Sequence, residues 1–238
     1  MDYDVREMFE VRFTKEDLEA IRNALSDMKN PVDVLTFVGD ICTFCSDTVK
    51  LVDLLASLSP EINGGKLIRH KIYHYKRDGA ENFKKYGITR VPSIVLIDGQ
   101  IRYTGMPAGE ELRSFIETML RISNGNSGLT EKVANLLSKV SGKVHMEVIV
   151  TPTCPYCPYA AFLTNMFAFE AHKSNNRNIV SDVVEAYENP DIADKYGIMS
   201  VPAIVINGEV EFVGVPDETE LLSRIYEKVQ KGFRPRYY

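Results

Sequence analysis

The sequence predicts an α/β protein built from two tandem copies of one domain, each a mixed central sheet flanked by helices. An internal repeat, a matching order of strands and helices in both halves, and a turn-rich segment between them carry that prediction. The stretch Lys85-Tyr-Gly-Ile-Thr-Arg-Val-Pro-Ser-Ile-Val95 reappears as Lys195-Tyr-Gly-Ile-Met-Ser-Val-Pro-Ala-Ile-Val205, identical at 8 of 11 positions. The offset is 110 there, 112 from Cys42 to Cys154, and 109 from Gly105-Met-Pro107 to Gly214-Val-Pro216. Such small drifts are loop-length differences between copies of one unit. Ser123-Asn-Gly-Asn-Ser-Gly128 has turn residues and no apolar periodicity, so it reads as a linker between domains 1–122 and 129–238.

Within the first copy, Thr14 caps a helix running to about Lys29, with Asp17 placed for a capping box. Val32 to Val38 is β-branched and apolar, a buried strand. A helix from the Cys42/Cys45 pair extends to about Leu58, followed by a strand at Leu67–Tyr75 and a short helix at Ala80–Tyr86. Ser93–Ile97 and Ile101–Thr104 flank Asp98-Gly99, a hairpin signal, and Ala108–Ile122 closes the unit as a helix. The second copy repeats the order: a helix from Thr130, a strand at Val144–Val150, the Cys154/Cys157 pair with a helix to about Ser174, and a strand at Ile179–Ala186. A short helix with Asn189 as cap and Pro190 first, a hairpin at Ala203–Val213 and a helix at Asp217–Lys231 complete it. Parallel strands joined by a helix, then an antiparallel hairpin, make a mixed sheet with helices on both faces.

The chain has 238 residues, 45% hydrophobic and 26% charged, the balance of a packed protein. Its net charge of −5 leaves no basic excess for nucleic acid. No apolar run approaches the roughly 20 residues that cross a bilayer. The acidic start, Met1-Asp-Tyr-Asp-Val-Arg-Glu, is unlike a secretory signal, so a cytoplasmic location is expected.

The four cysteines form two close pairs, Cys42/Cys45 and Cys154/Cys157. Closing so short a loop stabilises a fold by only about 2 kcal/mol, against about 4.7 for a 100-residue loop. The spacing therefore points to chemistry rather than to stapling. At a strand-to-helix junction, unpaired N–H groups and the helix dipole favour a thiolate and lower its pKa. Residues i and i+3 share a face, so the second sulfur reaches the first. Cys154, at the exposed helix start, is expected to attack a client disulfide, and Cys157, one turn in and shielded, to release it. Pro155 suits the first helical position, whereas Cys42 and Cys45 enclose Thr43 and Phe44.

Cys154-Pro-Tyr-Cys157 resembles the active site of glutaredoxins. Val91-Pro92 and Val201-Pro202 resemble the cis-proline loop that thioredoxin-fold enzymes set against their active site. The double arrangement, with Thr151-Pro-Thr-Cys-Pro-Tyr-Cys-Pro158, resembles the protein disulfide oxidoreductases, or glutaredoxin-like proteins, of hyperthermophilic archaea and bacteria. The resemblance spans essentially the whole chain and implies two tandem thioredoxin-like domains. It further implies reduction, oxidation or isomerisation of protein clients carrying disulfides or thiols, without a cofactor, in an organism where cytosolic disulfides are common. Pro92 and Pro202 would be cis, and the backbone of Val91 and Val201 would pair with an extended client.

Thioredoxins place a buried acid six residues before the first cysteine, where this chain has Thr36 and Val148. Glu147 falls on the opposite strand face. Glu185, on the neighbouring strand, is the candidate substitute in the second domain; its plainer reading is a solvent-facing acid. These differences predict unequal sites, the second more active. Tyr156 either touches the client or packs on Pro202. A zinc cage is disfavoured because the pairs lie 112 residues apart, and an iron–sulfur cluster is disfavoured by Pro155. His70 and His74 read as surface residues, and the tail Phe233–Tyr238 as free or docked on a neighbour. Two rival roles stay open: an electron carrier between a flavoprotein thioredoxin reductase and a peroxiredoxin, and a client-binding or chaperone module without turnover.

Overall fold

A computed structural model describes residues 5–231; the tail Phe233–Tyr238 lies outside the described residues. A 3-10 turn at Val5–Phe9 leads into α1 (Lys15–Leu25), whose N-terminus carries the Thr14/Asp17 capping box. Then come β1 (Val32–Val38), α2 (Cys45–Leu58), a small hairpin of β2 (Glu61–Ile62) and β3 (Gly65–Lys66), and β4 (Ile68–His74). The strand expected to reach Tyr75 stops one residue earlier. His74 caps a four-residue helix, α3 (Tyr75–Asp78), by accepting the Lys76 N–H on its ring. The half closes with α4 (Ala80–Tyr86), β5 (Ser93–Leu96), β6 (Ile101–Thr104) and α5 (Glu111–Asn124).

The second half follows as α6 (Glu131–Leu137), β7 (Val144–Val150), α7 (Cys157–Lys173), β8 (Ile179–Glu185) and α8 (Pro190–Lys195). It ends with β9 (Ala203–Ile206), β10 (Glu209–Val213) and α9 (Glu218–Lys231). Ile97–Gly99 turns the first hairpin with positive φ at all three residues, where Gly99 takes +94° without strain.

The two sheets are one. Strand order is β10-β9-β7-β8-β6-β5-β1-β4, joined at the middle by parallel pairing of β6 with β8, Arg102 opposite Asp182. Polar side chains at that seam bond one another and the main chain. Gln100 donates to the carbonyls of Asn176 and Ile179, at 3.0 and 2.9 Å, and Thr104 Oγ1 donates to Asp182 at 2.8 Å. Asn165 on α7 donates to the Tyr103 hydroxyl at 2.8 Å and accepts from Ser181 at 2.8 Å. Losing one partner in such a network strands the other at about 1–3 kcal/mol, so the seam has a single register.

The segment between the halves is pinned too: Ser123 donates to the Asn30 carbonyl and Ser127 to Glu170. One continuous apolar core, with residues from α1, α2, α5, α6, α7 and α9, fills one face of the sheet. Smaller clusters under α4 and α8 cover parts of the other.

Candidate active sites

Strands β1 and β7 run parallel, so both cysteine pairs emerge at the same sheet edge. They are four strand positions apart, about 19 Å at roughly 4.8 Å per step. Both pairs are disulfides, with Cα–Cα separations of 5.5 Å for Cys42–Cys45 and 5.4 Å for Cys154–Cys157. Both Val91-Pro92 and Val201-Pro202 are cis.

At the second pair, the Cys157 N–H donates to Cys154 Sγ at 3.1 Å. An otherwise unpaired helix-start donor is therefore aimed at the first sulfur of the pair, the arrangement that stabilises a thiolate. Cys157 is fully buried, as expected, but Cys154 is only 8% exposed. That corrects the expectation of an open first cysteine. The loop that leads into this cysteine is held by the other half: Gly109 lies against Pro152, and the Glu110 N–H donates to the Pro152 carbonyl at 2.9 Å.

Pro155 also differs from expectation. The Cys154 N–H turns back to the Thr151 carbonyl, so the helix starts only at Cys157, with Tyr156 as cap. Pro155 sits exposed in the turn, and Pro158 takes the first-turn place where a missing N–H costs nothing. Tyr156 is 67% exposed. Val201 packs on the core cluster that contains Cys154 and Cys157.

At the first pair, α2 also starts at the second cysteine, Cys45, with Cys42 half-buried. Phe44 stacks on Phe9 of the N-terminal turn, centroids 4.2 Å apart. A groove of about 370 Å³, lined among others by Gly39, Ile41, Arg90 and Val91, runs between the approach to Cys42 and the first proline loop.

His70 is no surface residue. Its side chain is 5% exposed; Nε2 bonds Thr36 Oγ1 at 2.8 Å and Nδ1 bonds Asp53 at 2.7 Å. The strand register places His70 beside β1, and Thr36 occupies the position where thioredoxins keep their acid. His74 places Nε2 3.1 Å from Asp40 Oδ1.

Glu185 lies at the end of β8 opposite Val150, buried on the α7 side with Ser181 and Val183. It is not the solvent-facing acid of the plainer reading. Burial pushes its carboxyl up to about 7, against the pull of bonds from the Tyr187 and Glu188 N–H groups. Glu147 accepts the Tyr196 hydroxyl at 2.5 Å, away from α7.

Two acids went unread in the sequence. Glu111, in the first turn of α5, is buried, and its carboxyl is raised to about 7, by burial first and then by the charges of Glu110 and Glu185. Glu188 is raised to about 7 by burial while accepting the Met106 N–H at 2.5 Å. A glutamate opening an amphipathic helix looks like an ordinary helix-start acid; only the docking of α5 on α7 buries it.

Two redox-capable dithiols at helix starts, each paired with a cis-proline loop on a tandem βαβ–αββα frame, define a double thioredoxin-fold molecule. The thioredoxin-domain profile matches residues 32–117 and 144–225, and the chain belongs to that family. It is similar to the crystal structure of a protein disulfide oxidoreductase from Aeropyrum pernix k1, with 43% identity and a TM-score of 0.92 over 94% of this chain and 97% of that one. It is 38% identical over 87 residues to a thioredoxin of Methanocaldococcus jannaschii, covering 37% of this chain and 98% of that protein. It is also 28% identical over 154 residues to an alkyl hydroperoxide reductase component of Pseudomonas aeruginosa, covering 63% of this chain and 27% of that one.

Proposed function

We propose that the protein is a thiol–disulfide oxidoreductase acting on protein clients through both cysteine pairs, with Cys154–Cys157 dominant. The Cys157 N–H on Cys154 Sγ, at a buried helix start, carries this reading. In the reducing direction the Cys154 thiolate attacks a client disulfide. The client S–S bond breaks, a mixed disulfide forms, and one client sulfur leaves as thiolate and takes a proton. The Cys157 thiolate then attacks Cys154 Sγ, which closes the 154–157 disulfide and frees the second client thiol. Two electrons pass to the client, and an external dithiol restores the pair; the same steps reversed oxidise a client. Cys157 must lose its proton in a dry setting. Glu185 and Glu111, buried carboxyls raised to about 7 on the α7 side, are the candidates to take it. The main chain of Val91 and Val201, beside the cis prolines, presents an edge on which an extended client pairs.

The test is dithiothreitol-driven insulin reduction by wild type and by the Cys42→Ser/Cys45→Ser and Cys154→Ser/Cys157→Ser variants. The second variant is expected to lose most of the rate and the first only part. Equal losses overturn the unequal-site reading, and a wild-type rate no faster than dithiothreitol alone leaves a binding module. The likeness to a hydroperoxide reductase component favours a second reading, an electron carrier from a flavoprotein reductase to a peroxiredoxin. Reductase-driven peroxide consumption that needs this chain, with slow insulin reduction, would select it.

A further inference from the structure

The first proline loop is held from the other half of the molecule. Two residues before Pro202 the second copy has Ser200; at the matching place the first copy has Arg90. Arg90 donates Nη1 to Asp191 Oδ1 at 2.9 Å and Nη2 to Asp191 Oδ2 at 2.5 Å, a bidentate fork. Nη1 also reaches Asn189 Oδ1 at 3.4 Å. Asn189 and Asp191 open α8, in the second half. The main chain beyond the loop is held by the same segment. Gly105 donates its N–H to the Pro92 carbonyl at 3.0 Å, and the next N–H, on Met106, donates to Glu188. Asn189 donates its side-chain NH2 to the carbonyls of Thr104 and Glu185, at 3.2 and 3.0 Å, and turns Oδ1 to Arg90 rather than capping its own helix with it. Gly105 has φ +106°, and a Cβ there would stand 2.7 Å from Glu185 Cβ and 2.9 Å from Glu188 Oε1, so the approach needs glycine.

Residues 188–191 of the second half thus grip the Val91–Pro92 loop from both sides. The second copy repeats only the inner bond, Gly214 N–H to the Pro202 carbonyl at 2.8 Å, at an outer edge of the sheet where Ser200 is exposed.

We propose that Arg90, with Asp191, is a positioning residue for the first site, presenting the Val91 main chain to an extended client. Docking of the two halves thereby sets how well the first site binds peptide, while the second proline loop has no matching side-chain fork. This rests on the reading that Cys42 exchanges disulfides beside that loop. Arg90 and Asp191 side chains are 37% and 63% exposed, and an ion pair so wet adds little to global stability. Its loss should register at the loop rather than in the fold.

The test uses the full chain with Cys45→Ser, Cys154→Ser and Cys157→Ser, leaving Cys42 as the reacting thiol. Two probes are compared: an extended peptide bearing a cysteine–thiopyridine disulfide, and neutral dithiodipyridine, which has no backbone to pair. In each reaction the Cys42 thiolate attacks the probe disulfide, a mixed disulfide forms, and thiopyridone leaves and is read by absorbance. Arg90→Ser is expected to slow the peptide reaction about one-and-a-half- to fivefold, the range of one partly exposed ion pair. The dithiodipyridine rate should stay unchanged, and Arg90→Asp/Asp191→Arg should restore the peptide rate. Unchanged peptide rates, or both probes slowing together, overturn the proposal. So does slowing that the reversed pair fails to restore, because Arg90 would then be touching the peptide itself. A Cys42 that reacts with neither probe instead overturns exchange at the first site, and the proposal falls with it.

Discussion

Glu111 makes the stability of this protein depend on pH in a calculable way. Its carboxyl, ordinarily at 4.5, is raised to about 7, first by burial and then by neighbouring carboxylates, against a Ser114 hydrogen bond of 3.0 Å. Its Oε1 has no hydrogen-bond partner. An acid whose pKa is raised on folding binds its proton more tightly in the folded chain than in the unfolded one. The stability this contributes is complete below pH 4.5 and is lost as pH rises through 7. At about 1.36 kcal/mol per pH unit, the rise corresponds to about 3 kcal/mol. Glutamine is the shape of the protonated acid and cannot ionise, and its carbonyl oxygen can keep the Ser114 bond. Glu111→Gln should therefore exceed wild type by only about 1 kcal/mol at pH 5 and by about 3 kcal/mol at pH 8. Urea unfolding of the oxidised proteins at both pH values measures this, and Glu185 and Glu188 titrate in both chains and largely cancel. A stability difference that is the same at pH 5 and pH 8 would refute the reasoning.

Other perturbations follow from single contacts. Gly109 has φ +56°, and a Cβ there would stand 2.3 Å from the Pro152 carbonyl oxygen. Gly109→Ala should thus push the Pro152 loop off α5 and destabilise by about 2–4 kcal/mol. It should also expose Cys154, read as faster alkylation of the reduced protein; an alkylation rate equal to wild type would show that the loop does not shield that sulfur. His70→Leu strands the Thr36 hydroxyl in the core, at a cost of about 1–3 kcal/mol by denaturant unfolding. If the histidine chain also serves Cys45, the Cys154→Ser/Cys157→Ser background will show a shifted pH–rate profile, whereas a purely structural histidine will move stability alone.

The duplication was legible because packing demands the same pattern in both copies. The Val-Pro dipeptides, the apolar strands and the capped helices are local signals, and local geometry honours them: β1 spans Val32–Val38 and Thr14 caps α1 as the residues dictate. The cysteine spacing likewise carries its chemistry in the chain itself, since three residues at a helix start set sulfur reach and backbone donors. The burial of Cys154, the acids at Glu111, Glu185 and Glu188, and the hold on the first proline loop come from elsewhere. Each arises where α5 docks on α7 and where β6 pairs with β8, contacts between residues far apart in sequence. A glutamate reads alike on a wet helix and a dry one, and His70 on a strand reads as surface until Thr36 and Asp53 close around it. Whether a side chain ionises, and which sulfur meets solvent, depends on what is stacked above it. The amino-acid order determined two dithiol domains; their fusion into one eight-stranded sheet decided the environment in which each dithiol works.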